Sequence, residues 1–125
     1  MKLRFLGKES KPNDSPTLYA TDSNSYIVQG YIVTDPAILA QFDLTSDETL
    51  VEVPARLMIH LDKDGLSGII ERPVPPIVHI KADGNFIMRG PRVIDPETLS
   101  QMSIPSHETA IAISKSSVLT LLAGV

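Results

Sequence analysis

Hydrophobic residues in this chain fall in short runs, broken by polar clusters rich in Asp, Ser, Gly and Pro. That is the pattern of strands and short helices, not of long amphipathic helices. Thr17-Leu18-Tyr19-Ala20-Thr21 and Ile77-Val78-His79-Ile80-Lys81 suit short strands, because β-branched and aromatic residues fit a pleated surface. Each is followed by a turn, Asp22-Ser23-Asn24-Ser25 in the first case and Asp83-Gly84 in the second. The Asp-Gly pair predicts a type I′ hairpin, in which both central residues take positive φ. The return strands are Tyr26–Val33 and Phe86–Val93, each with a glycine inside it (Gly30, Gly90) that predicts a bulge or a bend. Pro91 has no amide proton, so an edge or an interruption is expected there.

Asp35-Pro36 and Asp95-Pro96 are helix-start signals. The aspartate caps free amides, and proline at the first helical position loses nothing by lacking one. Ile38, Leu39 and Phe42 then make one apolar side, as do Leu99 and Met102. Glu48–Val53 and Glu108–Ile113 read as strands with Val51, Val53, Ile111 and Ile113 facing inward. A closing helix follows each, opened by Pro54 and by Ser114. Their buried faces are Leu57, Met58 and Leu61 in one, and Val118, Leu121 and Leu122 in the other. Lys2–Leu6 suits a strand on a sheet edge, and Ile69-Ile70 a very short one.

The order of signals is therefore the same twice, and sliding the chain on itself by sixty residues aligns 16–61 with 76–121 without a gap. Identities include Ile27/Ile87, Gly30/Gly90, Val33/Val93, Asp35-Pro36/Asp95-Pro96, Leu39/Leu99, Gln41/Gln101, Ser46/Ser106 and Glu48-Thr49/Glu108-Thr109. The expected fold is α+β: a tandem-duplicated β-β-α-β-α unit packed with pseudo-twofold symmetry. Copy one is 1–62 and copy two 77–125, joined by a Pro/Gly linker at 63–76, all within one compact domain. Residues 7–16, GKESKPNDSP, have the same loop character as the linker.

Composition narrows the function classes. With 125 residues and 42% hydrophobic, the chain can bury a core without staples. No cysteine is present, which removes disulfides, thiolate nucleophiles and Cys-containing zinc sites. The start, MKLRFLGKES, lacks the apolar core of a signal peptide, and a cytoplasmic location is expected. A net charge of −4 argues against general nucleic-acid binding. The densest basic group, Lys2, Arg4, Lys8 and Lys11, reads as an ordinary solvated terminus. With Arg89 and Arg92 it carries a third, weaker reading as a nucleic-acid contact.

Candidate chemistry is sparse. His60, His79 and His107 have no metal-ligand spacing, and no nucleophile or phosphate-loop motif occurs, so neither a metal nor a cofactor is called for. Glu48 and Glu108 occupy equivalent positions and, brought together, would form an acid/base pair or chelate an ion. The structural alternative is that each opens a strand and takes a backbone amide of the preceding loop. Tyr19, Tyr26, Tyr31 and Gln29 stand where copy two has His79, Phe86, Pro91 and Arg89. Tyrosine and arginine are frequent interface anchors, so Tyr26, Gln29, Tyr31, Arg89 and Arg92 are candidate partner contacts. Core filling with surface drift accounts for the same differences equally well.

SPTLYATD, then YIVQG, TDP and ETLVEVP, resembles small uncharacterised actinobacterial proteins with the pattern SPTLYATD…VVQG…TDP…ETVVEIP. The resemblance covers most of copy one and, through HETAIAISKSSVLTLLAG, the end of copy two. Such proteins are often encoded near helix-turn-helix regulators. The resemblance therefore implies an accessory to a transcriptional regulator or to a toxin–antitoxin-type system, and it supplies no catalytic residues. The expected function is a non-enzymatic interaction module that binds a protein partner or self-associates as a homodimer. The alternative is a small hydrolase or toxin-like enzyme using Glu48 and Glu108.

Overall fold

The computed structural model describes residues 1–9 and 16–123, so Lys11 and most of the 7–16 loop lie outside the described residues. In chain order the elements are β1 (Leu3–Lys8), β2 (Thr17–Thr21), β3 (Ser25–Ile32), α1 (Pro36–Leu39), β4 (Glu48–Val53) and a 3₁₀ helix (Ala55–Asp64). They continue with β5 (Ile77–Ile80), β6 (Phe86–Pro91), α2 (Pro96–Leu99), β7 (Glu108–Ser114) and α3 (Lys115–Ala123). The protein is a mixed fold of one antiparallel sheet of seven strands with few, short helices.

The two halves do not fold side by side. β3 pairs along its length with β7, and β4 pairs with β6, so each half lends a strand to the other. β3 also pairs with β4 through Tyr31–Glu52 and Ile32–Val51, and Arg92, just past the end of β6, bridges Ile111 of β7. These contacts close a ring of four strands, β3–β4–β6–β7. Outside it, β1 and β2 extend one flank and β5 the other. The registers match at positions sixty apart: Gly30 lies opposite Thr109, and Gly90 opposite Thr49.

Strand alternation fills the interior of the ring with Val28, Val51, Met88 and Ile111, all fully buried. The same core takes in Leu57, Leu61, Val118 and Leu121 from the closing helices. Burying side chains of this size contributes about 1.5–3 kcal/mol each, which makes this cluster the main source of stability. Ile38, Leu50, Ile87 and Val33 form a smaller cluster beneath α1.

The capping signals act as the sequence requires. The Asp35 side chain accepts from the Ala37 amide, and Asp95 accepts from both the amide and the hydroxyl of Thr98. Each helix lasts one turn. Ile38 is buried under α1 while Leu39 is exposed, and under α2 the buried residue is Thr98.

Four expectations change. Gly84 has φ of 91° but Asp83 does not share the positive region, so this hairpin is not type I′. Its counterpart in the first half is Asn24, with φ of 55°. Ile69-Ile70 is not a strand; residues 66–76 run without regular structure. The first closing helix is a ten-residue 3₁₀ helix. At ~2.0 Å per residue it reaches about a third further than an α-helix of equal length, and it lies across β1 and β2. Lastly, neither glycine marks a bulge; the register breaks lie at Phe5/Gly7 and Ile77/His79. A Cβ on Gly30 would stand 2.6 Å from the Glu52 carbonyl oxygen, and one on Gly90 2.8 Å from that of Ala112. Both glycines are there because the strands cross too closely for a side chain.

Candidate functional site

The sequence drew attention to Gln29, Arg89, Glu48 and Glu108, and strand exchange joins them in pairs. Gln29 Nε2 donates to Glu108 Oε1 at 2.8 Å and to the Ser103 carbonyl at 3.0 Å. Sixty residues along, Arg89 Nη2 donates to Glu48 Oε1 at 2.8 Å and to the Asp43 carbonyl at 2.8 Å. The two clamps use the same three positions, drawn in each case from both halves. Each carboxylate thus has its own partner across the sheet, Arg89 for Glu48 and Gln29 for Glu108. Glu48 also accepts from the Thr45 amide at 3.2 Å, as a strand-opening residue would.

The clamps differ in exposure and charge. Gln29 is fully buried and so is the Glu108 side chain. Glu48 and Arg89 are partly exposed, at 22% and 30%. The Arg89 guanidinium, helped by the Thr45 amide, pulls the Glu48 carboxyl down to a pKa of about 2. A group held ionised to that degree is no general acid near neutral pH.

The exposed clamp opens onto a groove of about 480 Å³ with a mixed lining, which also takes in Ser25, Pro91, Ala112, Ile113, Ser114 and Ser117. At the positions equivalent to Ser25, Pro91 and Ala112, the other half carries Asn85, Tyr31 and Glu52. Those larger side chains are engaged: Tyr31 stacks on His107 at 6.3 Å, and Glu52 is bound by Lys81 at 3.1 Å and Asn85 at 2.8 Å.

A second concavity of about 440 Å³ lies between the 3₁₀ helix, the 66–70 segment and the end of α3. Met58, Leu66, Ile70, Phe86 and Leu122 give it an apolar lining, with Arg56 and Asp62 beside them. Gly68 allows the segment to pack against α3, since a Cβ there would meet the Leu122 carbonyl oxygen at 2.9 Å. Ile59 lines this cleft and is 67% exposed, and the nearby Ile69 is equally so.

The candidate partner contacts divide accordingly. Tyr26 and Gln29 are buried, at 1% and 0% exposure, and are corrected from surface contacts to core residues. The Tyr26 hydroxyl donates to Asp64, which also pairs with Arg4 and, at 3.6 Å, with Lys115. Burial, then the Asp64 carboxylate, raises the Tyr26 pKa, and the hydroxyl in turn lowers that of Asp64. Tyr31 and Arg89 are partly exposed and Arg92 is exposed.

Of the histidines, His60 sits against Gly7, with Glu9 at 3.0 Å and Lys63 at 2.9 Å. No group of three or more His, Asp or Glu able to hold a metal ion occurs among the described residues. No helix among them is long and apolar enough to cross a membrane. The apolar cleft escaped the sequence reading, although Ile59 was a signal: it is one apolar residue more than the buried face of its helix can use.

No protein-family model, curated protein or solved structure matches the chain.

Proposed function

We propose that the protein is a non-enzymatic, cytoplasmic interaction module whose docking site is the apolar cleft around Ile59. The exposed Ile59 beside an apolar cavity of about 440 Å³ carries this reading. A concave apolar patch with a charged rim accepts an apolar side chain of a protein partner and leaves the rim to set orientation. The resemblance to actinobacterial proteins encoded near helix-turn-helix regulators makes such a regulator the first partner to try. Two copies of this chain meeting through the cleft would give a homodimer instead.

We also infer that the two halves are tandem copies of one β-β-α-β-α unit related by a pseudo-twofold axis. Support comes from the matched strand registers, the matched clamps and the left-handed residues at 24 and 84. In that reading the cleft lies between the copies, walled by the first closing helix and the 66–70 segment on one side and by Phe86 and Leu122 of the second copy on the other.

The test is affinity capture with the full chain beside Ile59→Asp, each checked by thermal melting and size-exclusion chromatography. The expected result is a stoichiometric partner, or a dimer, that Ile59→Asp loses while melting unchanged. Equal capture by both proteins would overturn the cleft as the docking site and turn attention to Tyr31, Arg89 and Arg92.

A further inference from the structure

The groove beside Glu48 and Arg89 is separate from the apolar cleft, and its chemistry is of a different kind. The Thr45 amide and Nε and Nη2 of Arg89 all donate to one oxygen of the Glu48 carboxylate, Oε1, and the Thr45 side chain lies against the same carboxylate. Oε2 takes no hydrogen bond from Arg89 or from the Thr45 amide. Arg89 spends Nε and Nη2 on Glu48 and the Asp43 carbonyl, so Nη1 has no hydrogen-bond partner among the described residues. The groove thus presents one acceptor of full negative charge beside one donor of full positive charge, each incompletely used.

Like-charge repulsion decides what fits. A plain anion drawn to Arg89 would meet the Glu48 carboxylate, which stays ionised at neutral pH. A plain cation drawn to Glu48 would meet the guanidinium. A ligand with both charges close together satisfies both without opposing either. Beyond the pair, the Ser25 hydroxyl is shared with Thr21 and those of Ser114 and Ser117 with each other, and each keeps capacity for a further bond to an uncharged polar group. We propose that this groove is a binding site for a free α-amino acid, its carboxylate on Arg89 Nη1 and its ammonium on Glu48 Oε2, with a small polar side chain toward the serines.

The other half supplies a contrast within the molecule. There Gln29 carries no charge, and the Glu108 carboxylate it holds is fully buried. The same three-position clamp therefore serves as a closed structural contact in one half and as an open charged site in the other.

Amide chemical-shift titration of the full chain tests the assignment, with L-serine, N-acetyl-L-serine and L-serinamide as probes. L-Serine is expected to shift the amides of Glu48, Arg89, Gly90, Ser114 and Ser117 saturably. The two derivatives, each missing one charge, should bind at least about tenfold more weakly. Arg89→Gln and Glu48→Gln, confirmed as folded from the same spectra, should each lose the response. Comparable binding of N-acetyl-L-serine would make this a site for anions, such as a peptide carboxyl terminus, and would overturn the proposal. Comparable binding of L-serinamide would do so in favour of an amine. No saturable shift in these amides with L-serine in the wild-type protein would refute it without recourse to variants.

Discussion

Gln29 and Glu108 lie 79 positions apart in the chain, on adjacent strands, and share a 2.8 Å hydrogen bond inside the protein. Arg89 and Glu48 make the equivalent bond at the same length near the surface. The glutamine-to-arginine difference, together with smaller neighbours at Ser25, Pro91 and Ala112, separates a sealed contact from an open one. Their opposite settings give different predictions for the two pairs.

Gln29→Ala should strip the interior Glu108 carboxyl of a donor and leave a void, lowering stability by about 2–3 kcal/mol. The fall in the urea midpoint should exceed that of Arg89→Ala, because water can replace the lost guanidinium at an exposed carboxylate. A larger loss for Arg89→Ala would mean that the exposed pair, not the buried one, holds the exchanged strands together.

The Glu48–Arg89 pair should also give stability a specific acid limb. The folded-state pKa of Glu48 lies near 2 against an ordinary 4.5, so the folded state favours the ionised form. Stability from this pair is full above the ordinary value and is lost as pH falls toward about 2. The gap in urea midpoint between wild type and Arg89→Gln should therefore be greatest at neutral pH and close across that window. Glu9, Asp64 and Asp95 are shifted in the same direction but are common to both proteins.

Gly30→Ala and Gly90→Ala should destabilise alike, by about 1–3 kcal/mol, because each methyl would press on a backbone carbonyl that cannot turn away. Gly84→Ala, with no atom within 4 Å of the added carbon, should suffer only the strain of its positive φ. Chemical denaturation of the three variants checks the ranking.

Tyr26→Phe keeps the buried ring and removes the hydroxyl that Asp64 accepts from. A loss of about 1–2 kcal/mol is expected, since Arg4 and Lys115 still attend the carboxylate. Spectrophotometric titration should also show one tyrosine fewer among those ionising above the ordinary range.

Local signals in the sequence determined the order of elements, because each depends on neighbours a few residues away. Asp35 and Asp95 cap their helices, Val51, Val53, Ile111 and Ile113 point inward, and the segment from Leu3 forms an edge strand. The matched positions sixty apart were likewise legible in the residues themselves. What the chain does between distant strands was not. Period-two alternation says which face of a strand is buried but not which strand it pairs with, so the exchange of β7 onto β3 and β6 onto β4 came only from the tertiary structure. That exchange buries Tyr26 and Gln29, which by composition alone looked as ready for a surface as for a core. It also turns Gly30 and Gly90 from signs of a bulge into points of backbone crossing, a distinction set by the proximity of Glu52 and Ala112, residues remote in sequence. The open groove and the apolar cleft are products of the same packing, assembled from side chains that no local pattern could bring together.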